Sequence, residues 1–237
     1  RIADALKGGA RLVIIGQPGT GKTVALAHLA ILAANRNSEL GPLREHLPFL
    51  AHVSDLQVTS HQKRPATRRL LDLTLESVTA SDSRKVESLV LSCLRGGRAL
   101  LLIDGFDELT EEGQGEITEF IGQLLEEFPH VAIAITGAPE YLGSLTRLGF
   151  VPMALSAWDR RRRLRFVGRW TEKWTTAQLP AQTTSVPSAL LEPAILGNWL
   201  DFESRNLTPL ELTLQVWAAC AGDWLGTSPL DALASHV

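Results

Sequence analysis

Eight consecutive residues, Gly16-Gln17-Pro18-Gly19-Thr20-Gly21-Lys22-Thr23, limit what this chain can fold into. They satisfy the spacing G-x-x-x-x-G-K-[ST] of a phosphate-binding loop, and their setting agrees with it. Leu12-Val13-Ile14-Ile15 before the loop reads as a short buried strand, and Val24 to Ala30 after it reads as a helix. A phosphate chain needs many donors in a small space, and the backbone N–H groups of a glycine-rich turn supply them without side-chain bulk. The helix that follows adds its partial positive end. Lys22 supplies a point charge for the outer phosphates, and the Thr23 hydroxyl can join the shell of a Mg²⁺ ion. A chance lysine in a glycine-rich turn would not come with strand, helix and full spacing together. The stretch Gly16 to Thr23, with Val24 opening the helix, is therefore expected to bind a nucleoside tri- or diphosphate.

A second stretch gives the loop its partner. Leu100-Leu101-Leu102-Ile103 runs straight into Asp104, the pattern of a fully buried parallel strand ending in an acid at the carboxyl edge of its sheet. Asp104 is expected to hold Mg²⁺ with Thr23. Asp107 and Glu108 follow, and either carboxylate could orient or deprotonate an attacking water. An acidic helix cap would account for one of them as well.

Strand and helix patterns alternate around these two stretches. Leu47 to Val53, Val131 to Thr136 and Phe150 to Leu155 read as further strands. Val86 to Leu94 and Ile117 to Leu125 carry helical spacing, with Cys93 on an apolar face. His52 reads as a strand-end polar residue with nothing nearby to complete a site. Gln62 to Ser83, with Arg64, Arg68 and Arg69, reads as a solvated helix and loop. The alternation calls for a mostly parallel five-stranded sheet with helices on both faces over residues 1–156.

Composition changes after Ser156. All six tryptophans lie beyond it, and no strand pattern recurs. Residues 157–237 are expected to form a small all-α domain, with helices over 159–174, 190–200 and 210–220 and a Thr/Gln/Pro linker over 175–187. Arg160 to Arg163, Arg165 and Arg169 share the first helix with Leu164, Val167, Trp170 and Trp174. Because the aromatics fall on the inward stripe and acids balance the charge, a solvated face is expected in preference to a nucleic-acid surface. The formal net charge of −3 points the same way.

The chain has 237 residues, 45% of them hydrophobic and 21% charged, the make-up of a globular protein with no membrane span or signal peptide. Its two cysteines have no histidine at co-ligand spacing, so a reducing, cytoplasmic setting is expected. It opens on Arg1-Ile2-Ala3-Asp4 and is read as part of a larger protein.

Together these residues resemble the NACHT branch of the STAND-type NTPases, signalling ATPases that include NOD-like immune receptors. The resemblance rests on Gly16 to Thr23, on Leu47 to Leu56 and above all on Leu101-Leu102-Ile103-Asp104-Gly105-Phe106-Asp107-Glu108-Leu109. A glycine after the metal-binding aspartate, with the acidic pair displaced, marks this branch. Asn206 to Leu214 resembles the family's Asn-Pro-Leu helix start with an extra residue before the proline. Pro209 would accordingly pack near the nucleotide base. The resemblance implies a P-loop NTPase three-layer sandwich followed by a small helical domain. It implies an ATP/ADP switch with Mg²⁺ that opens, self-associates and hydrolyses slowly within a larger signalling protein. Thr136-Gly137-Ala138-Pro139 departs from the family, which carries an arginine that reads the γ-phosphate where this chain has Ala138. An alanine methyl cannot hydrogen-bond an oxyanion. A motor-like ATPase acting on protein or nucleic acid is the alternative, and a small-molecule phosphotransferase ranks below it.

Overall fold

The computed structural model describes residues 2–7, 11–58, 64–76, 78–176 and 207–221. The helix expected near 190–200, the 177–187 part of the linker, the tail from 226 and Trp199 and Trp224 lie outside these residues. By their contacts the residues fall into two compact units: Arg1–Gln17 with Lys22–Leu155, and Pro18–Gly21 with Ser156–Val237.

The first unit is an α/β sandwich around a five-stranded sheet. The strands are β1 (Arg11–Ile15), β2 (Leu47–His52), β3 (Ala99–Asp104), β4 (Ala132–Gly137) and β5 (Phe150–Ala154). Their order is β2-β3-β4-β1-β5, and every pairing is parallel. Alternation along each strand sends side chains to two separate cores. Val13, Leu101, Ile103, Ile133 and Ile135 join one, and Leu12, Ile14, Leu100, Leu102 and Ala134 join the other.

The first core is covered by α3 (Val53–Val58), α4 (Ala66–Leu75), α5 (Ser83–Arg95), α6 (Glu111–Glu127) and α7 (Gly143–Arg147). The second is covered by α1 (Ile2–Lys7), α2 (Lys22–Ala34) and a 3₁₀ segment over Ser38–Glu45. Helix α6 begins where local chemistry dictates. The Thr110 hydroxyl accepts from the Gly113 N–H at 3.3 Å, and Glu111 and Glu112 sit against the positive end of the helix dipole.

Helix α4 departs from its solvated reading along one face, where Ala66, Arg69, Leu70 and Leu71 are buried. Arg64 and Arg68 are exposed and pair with Asp72, but Arg69 is buried. Its guanidinium donates to the Leu56 carbonyl at 2.6 Å and lies 4.9 Å from the centroid of the Phe120 ring. Spacing explains the difference, because Ala66, Arg69 and Leu70 share the inward face of the helix.

In the second unit α8 (Arg160–Thr176) packs on α9 (Pro209–Ala221) through Val167, Leu207, Leu212, Val216, Ala219 and Cys220. Trp158, Leu164, Phe166, Trp170 and Trp174 complete this core. Helix α9 opens on a reciprocal cap: the Glu211 carboxylate accepts from the Thr208 N–H at 2.7 Å, and the Thr208 hydroxyl from the Glu211 N–H at 3.2 Å.

Candidate nucleotide site

Because all five strands are parallel, their carboxyl ends share one edge, where open α/β sheets place ligands. Three of those ends meet there. β1 delivers Gly16, β3 delivers Asp104, and β4, lying between them, delivers Thr136. Strand β3 is buried from Ala99 to Ile103, and only Asp104 is partly exposed. The Thr136 hydroxyl donates to Asp104 Oδ1 at 2.6 Å and accepts from the Gly105 N–H at 2.9 Å. With Thr136 fully buried, one hydroxyl fixes both the metal-binding candidate and the turn that follows it.

Lys22 is the first residue of α2. Its ammonium donates to the Gly16 carbonyl at 2.7 Å and lies 3.2 Å from Asp107 Oδ2. Gly16 and Asp107 thus take up two of the ammonium group's three donors. Gly19 and Gly21 have φ of +79° and +92°, the left-handed region open to glycine. A β-carbon on Gly21 would meet nothing within 4 Å, so the turn is not closed by packing at that point. Thr23 is exposed, and Val24 is 70% exposed. Gln17 and Pro18 are exposed as well, with Thr20 half-buried.

The two acids of the Asp107-Glu108 pair have different partners. They lie in a 3₁₀ turn, Phe106–Glu108, anchored by a fully buried Phe106. Asp107 reaches Lys22, whereas Glu108 Oε2 lies 3.4 Å from His52 Nε2 at the end of β2. His52 Nδ1 lies 2.8 Å from Ser54 Oγ and 3.3 Å from the Ser54 N–H, which leaves Nε2 as the ring nitrogen that faces Glu108. His52 therefore has a partner in the site, contrary to its reading as an isolated strand-end residue. It stands opposite Asp104 in the β2–β3 register.

The hard oxygen donors Asp104 and Thr23 suit Mg²⁺, which takes one or two protein ligands plus phosphate oxygens and water. Such a site needs no cluster of three protein ligands, and the described residues contain none.

In the second unit the Leu210 N–H donates to the Gly19 carbonyl at 3.1 Å, next to Pro209. A β-carbon on Gly19 would lie 3.1 Å from Thr208 Oγ1 and 3.2 Å from Leu210 Cβ. Ala138 follows β4 in extended conformation. Sequence reasoning missed Thr136 and His52 as site residues, since both join it through sheet register.

A model of the NACHT domain matches residues 10–173. No curated protein matches the chain significantly. Among solved structures, the Aeropyrum pernix ORC1 protein in complex with DNA is similar at 17% identity and a TM-score of 0.44. That alignment covers 94% of this chain and 64% of that one. The Pif1 helicase of Candida albicans is similar at 13% identity and a TM-score of 0.38, with 78% and 44% covered. The chain thus spans less than two thirds of either protein's length. The family model covers more than half of the sequence, including the loop, the acidic strand end and all five strands, and the chain belongs to the NACHT family of P-loop NTPases.

Proposed function

We propose that this domain is an ATP/ADP-binding switch of a larger signalling protein, with slow ATP hydrolysis and nucleotide-controlled self-association. The observation that carries the reading is the pair Lys22–Asp107 at 3.2 Å. A bound phosphate chain and Asp107 share one ammonium group, which links the loop to the 3₁₀ turn that carries both acids. Occupancy of the loop is thereby coupled to the conformation of Phe106–Glu108. A differential affinity of a few kcal/mol between two such conformers is enough for a switch.

Lys22 and the loop N–H groups bind the phosphates, and Thr23 and Asp104 hold the metal. Asp104 is held in orientation by the Thr136 hydroxyl, which donates to its Oδ1. Mg²⁺ neutralises phosphate charge when bound. Asp107 or Glu108 orients the attacking water and holds its proton. Ala138 supplies no donor for the γ-phosphate, in keeping with slow turnover. Pro209 is the residue that the family resemblance assigns to the base.

The test is equilibrium binding of a fluorescent ATP and ADP analogue to the wild type and to Lys22→Ala. Steady-state turnover and size-exclusion light scattering are measured with each nucleotide. Tight ADP with slow release, loss of binding by roughly 100-fold or more in Lys22→Ala and an ATP-dependent change of mass are expected. Rapid turnover with freely exchanging ADP and constant mass would overturn the switch.

A further inference from the structure

Helix α8 carries a cationic face that the nucleotide site does not use. Arg161, Arg165, Arg169 and Lys173 recur at intervals of four and all are exposed. They form one stripe about 18 Å long at the rise of an α-helix. Arg162, also exposed, lies beside it. Among the described residues, none of these five cations has a carboxylate within 4 Å. Arg163 is of another kind: it is buried and donates to the Trp158 carbonyl at 2.9 Å.

This arrangement works against the helix. Like charges four residues apart repel along a helix face, and the stripe contains three such steps. Arginines at positions 160–163 also load positive charge onto the helix's positive end, and the first turn holds no acid. The Asp159 carboxylate, accepting from the Arg162 N–H at 2.7 Å, is the cap and offsets only part of this. A face needed only for solubility would mix the two signs. Glu172 is the only acid within the helix.

We infer that the Arg161–Arg165–Arg169–Lys173 face of α8 binds the phosphate backbone of duplex nucleic acid without reading its sequence. Four of the five cations are arginines, whose planar fork matches phosphate oxygens. The aromatic residues of α8 and Trp158 are packed into the α8–α9 core, so the face offers no platform for stacking single-stranded bases. The same packing covers the apolar stripe with which a basic amphipathic helix would enter a lipid surface. The chain's net charge of −3 does not count against this surface, since the positive charge is segregated onto one face.

The test is fluorescence anisotropy of a labelled 30-base-pair duplex with the full chain, titrated between 50 and 200 mM KCl. The variants are Arg161→Gln/Arg165→Gln/Arg169→Gln and a control, Arg36→Gln/Arg95→Gln, at exposed arginines elsewhere. Circular dichroism and nucleotide binding, measured in parallel, establish that each variant is folded. Each phosphate contact contributes about 0.9 to the slope of log K against log salt. The triple variant should therefore bind at least tenfold more weakly with a slope about 2 to 3 smaller, while the control and random duplex sequences behave as the wild type. Absence of wild-type binding at 50 mM KCl, or an unchanged slope in the triple variant, would overturn the inference. So would poly-glutamate competing as well as duplex at equal charge, which would assign the face to an acidic protein.

Discussion

His52 Nε2 lies 3.4 Å from Glu108 Oε2, and the imidazole fills the space that a β-carbon on Gly105 would need. The glycine that follows Asp104 therefore serves two ends. Its φ of +87° turns the chain into the 3₁₀ segment, and its missing side chain lets β2 deliver a ring to the acidic pair. Gly105→Ala puts a methyl 2.5 Å from Nε2 in a left-handed backbone. We expect it to cost about 1–3 kcal/mol and to drive His52 off Glu108. In urea unfolding His52→Ala should then cost less in the Gly105→Ala background than in the wild type. Additive losses would mean that the ring and the glycine are not coupled.

Thr136→Val keeps shape but deletes a buried hydroxyl with two partners, the Gly105 N–H and Asp104 Oδ1. The expected loss is about 1–3 kcal/mol, the cost of an unmet buried donor. If Asp104 holds the metal, the Mg²⁺ concentration needed for half-maximal nucleotide binding should rise, and Thr136→Ser should restore it. An unaltered Mg²⁺ titration would remove Thr136 from the site.

Ala138→Arg supplies the guanidinium that the NACHT resemblance places at this position. A charge-assisted hydrogen bond of about 1.5–3 kcal/mol corresponds to roughly tenfold or more in affinity. The ratio of ADP to ATP dissociation constants should rise by about that factor. An unchanged ratio would show that position 138 does not reach the γ-phosphate.

Arg69 is a structural cation. Burial pulls its pKa down, opposed by Glu116 and then Glu119, yet a guanidinium stays protonated at neutral pH. Arg69→Met gives up the bond to the Leu56 carbonyl and the contact with Phe120. A loss of about 2–4 kcal/mol is expected in chemical unfolding, with Arg68→Met, on the exposed side of the helix, within about 0.5 kcal/mol of wild type.

His46 makes stability depend on pH. Burial is the main cause of its lowered pKa, and Arg98 adds to it against the backbone bonds to Pro42 and Gly97. Below the unfolded value of about 6.5, the unfolded chain takes up a proton that the folded chain resists. Stability from this group is complete above that pH and is lost as pH falls through the window below it. The melting temperature should drop on acidification from pH 7 to 5.5, and His46→Gln should flatten the dependence. Equal slopes for both proteins would assign the effect to other groups.

The parts of the fold written in local pattern could be read from the chain. The loop at Gly16–Thr23, the aliphatic run into Asp104 and the alternation of strands and helices needed only neighbours in sequence. Residues that depend on register did not show. Thr136 meets Asp104 across 32 positions, and His52 meets Glu108 because β2 lies beside β3. Arg69 was obscured for a different reason. Composition gives an arginine to solvent, and only its spacing from Ala66 and Leu70 puts it inside.

The sheet order also sets a timetable for biosynthesis. Of the five strands of this sheet β1 leaves the ribosome first, yet its two neighbours, β4 and β5, leave last. Until Ala154 has emerged, Leu12, Val13 and Ile14 have no complete lattice of backbone partners. A nascent or shortened chain ending before Phe150 would carry β1 with an open, apolar edge, a template for pairing with other chains. The nucleotide loop hangs from that strand, so the ability to hold nucleotide should be acquired late, as β4 and β5 close around it.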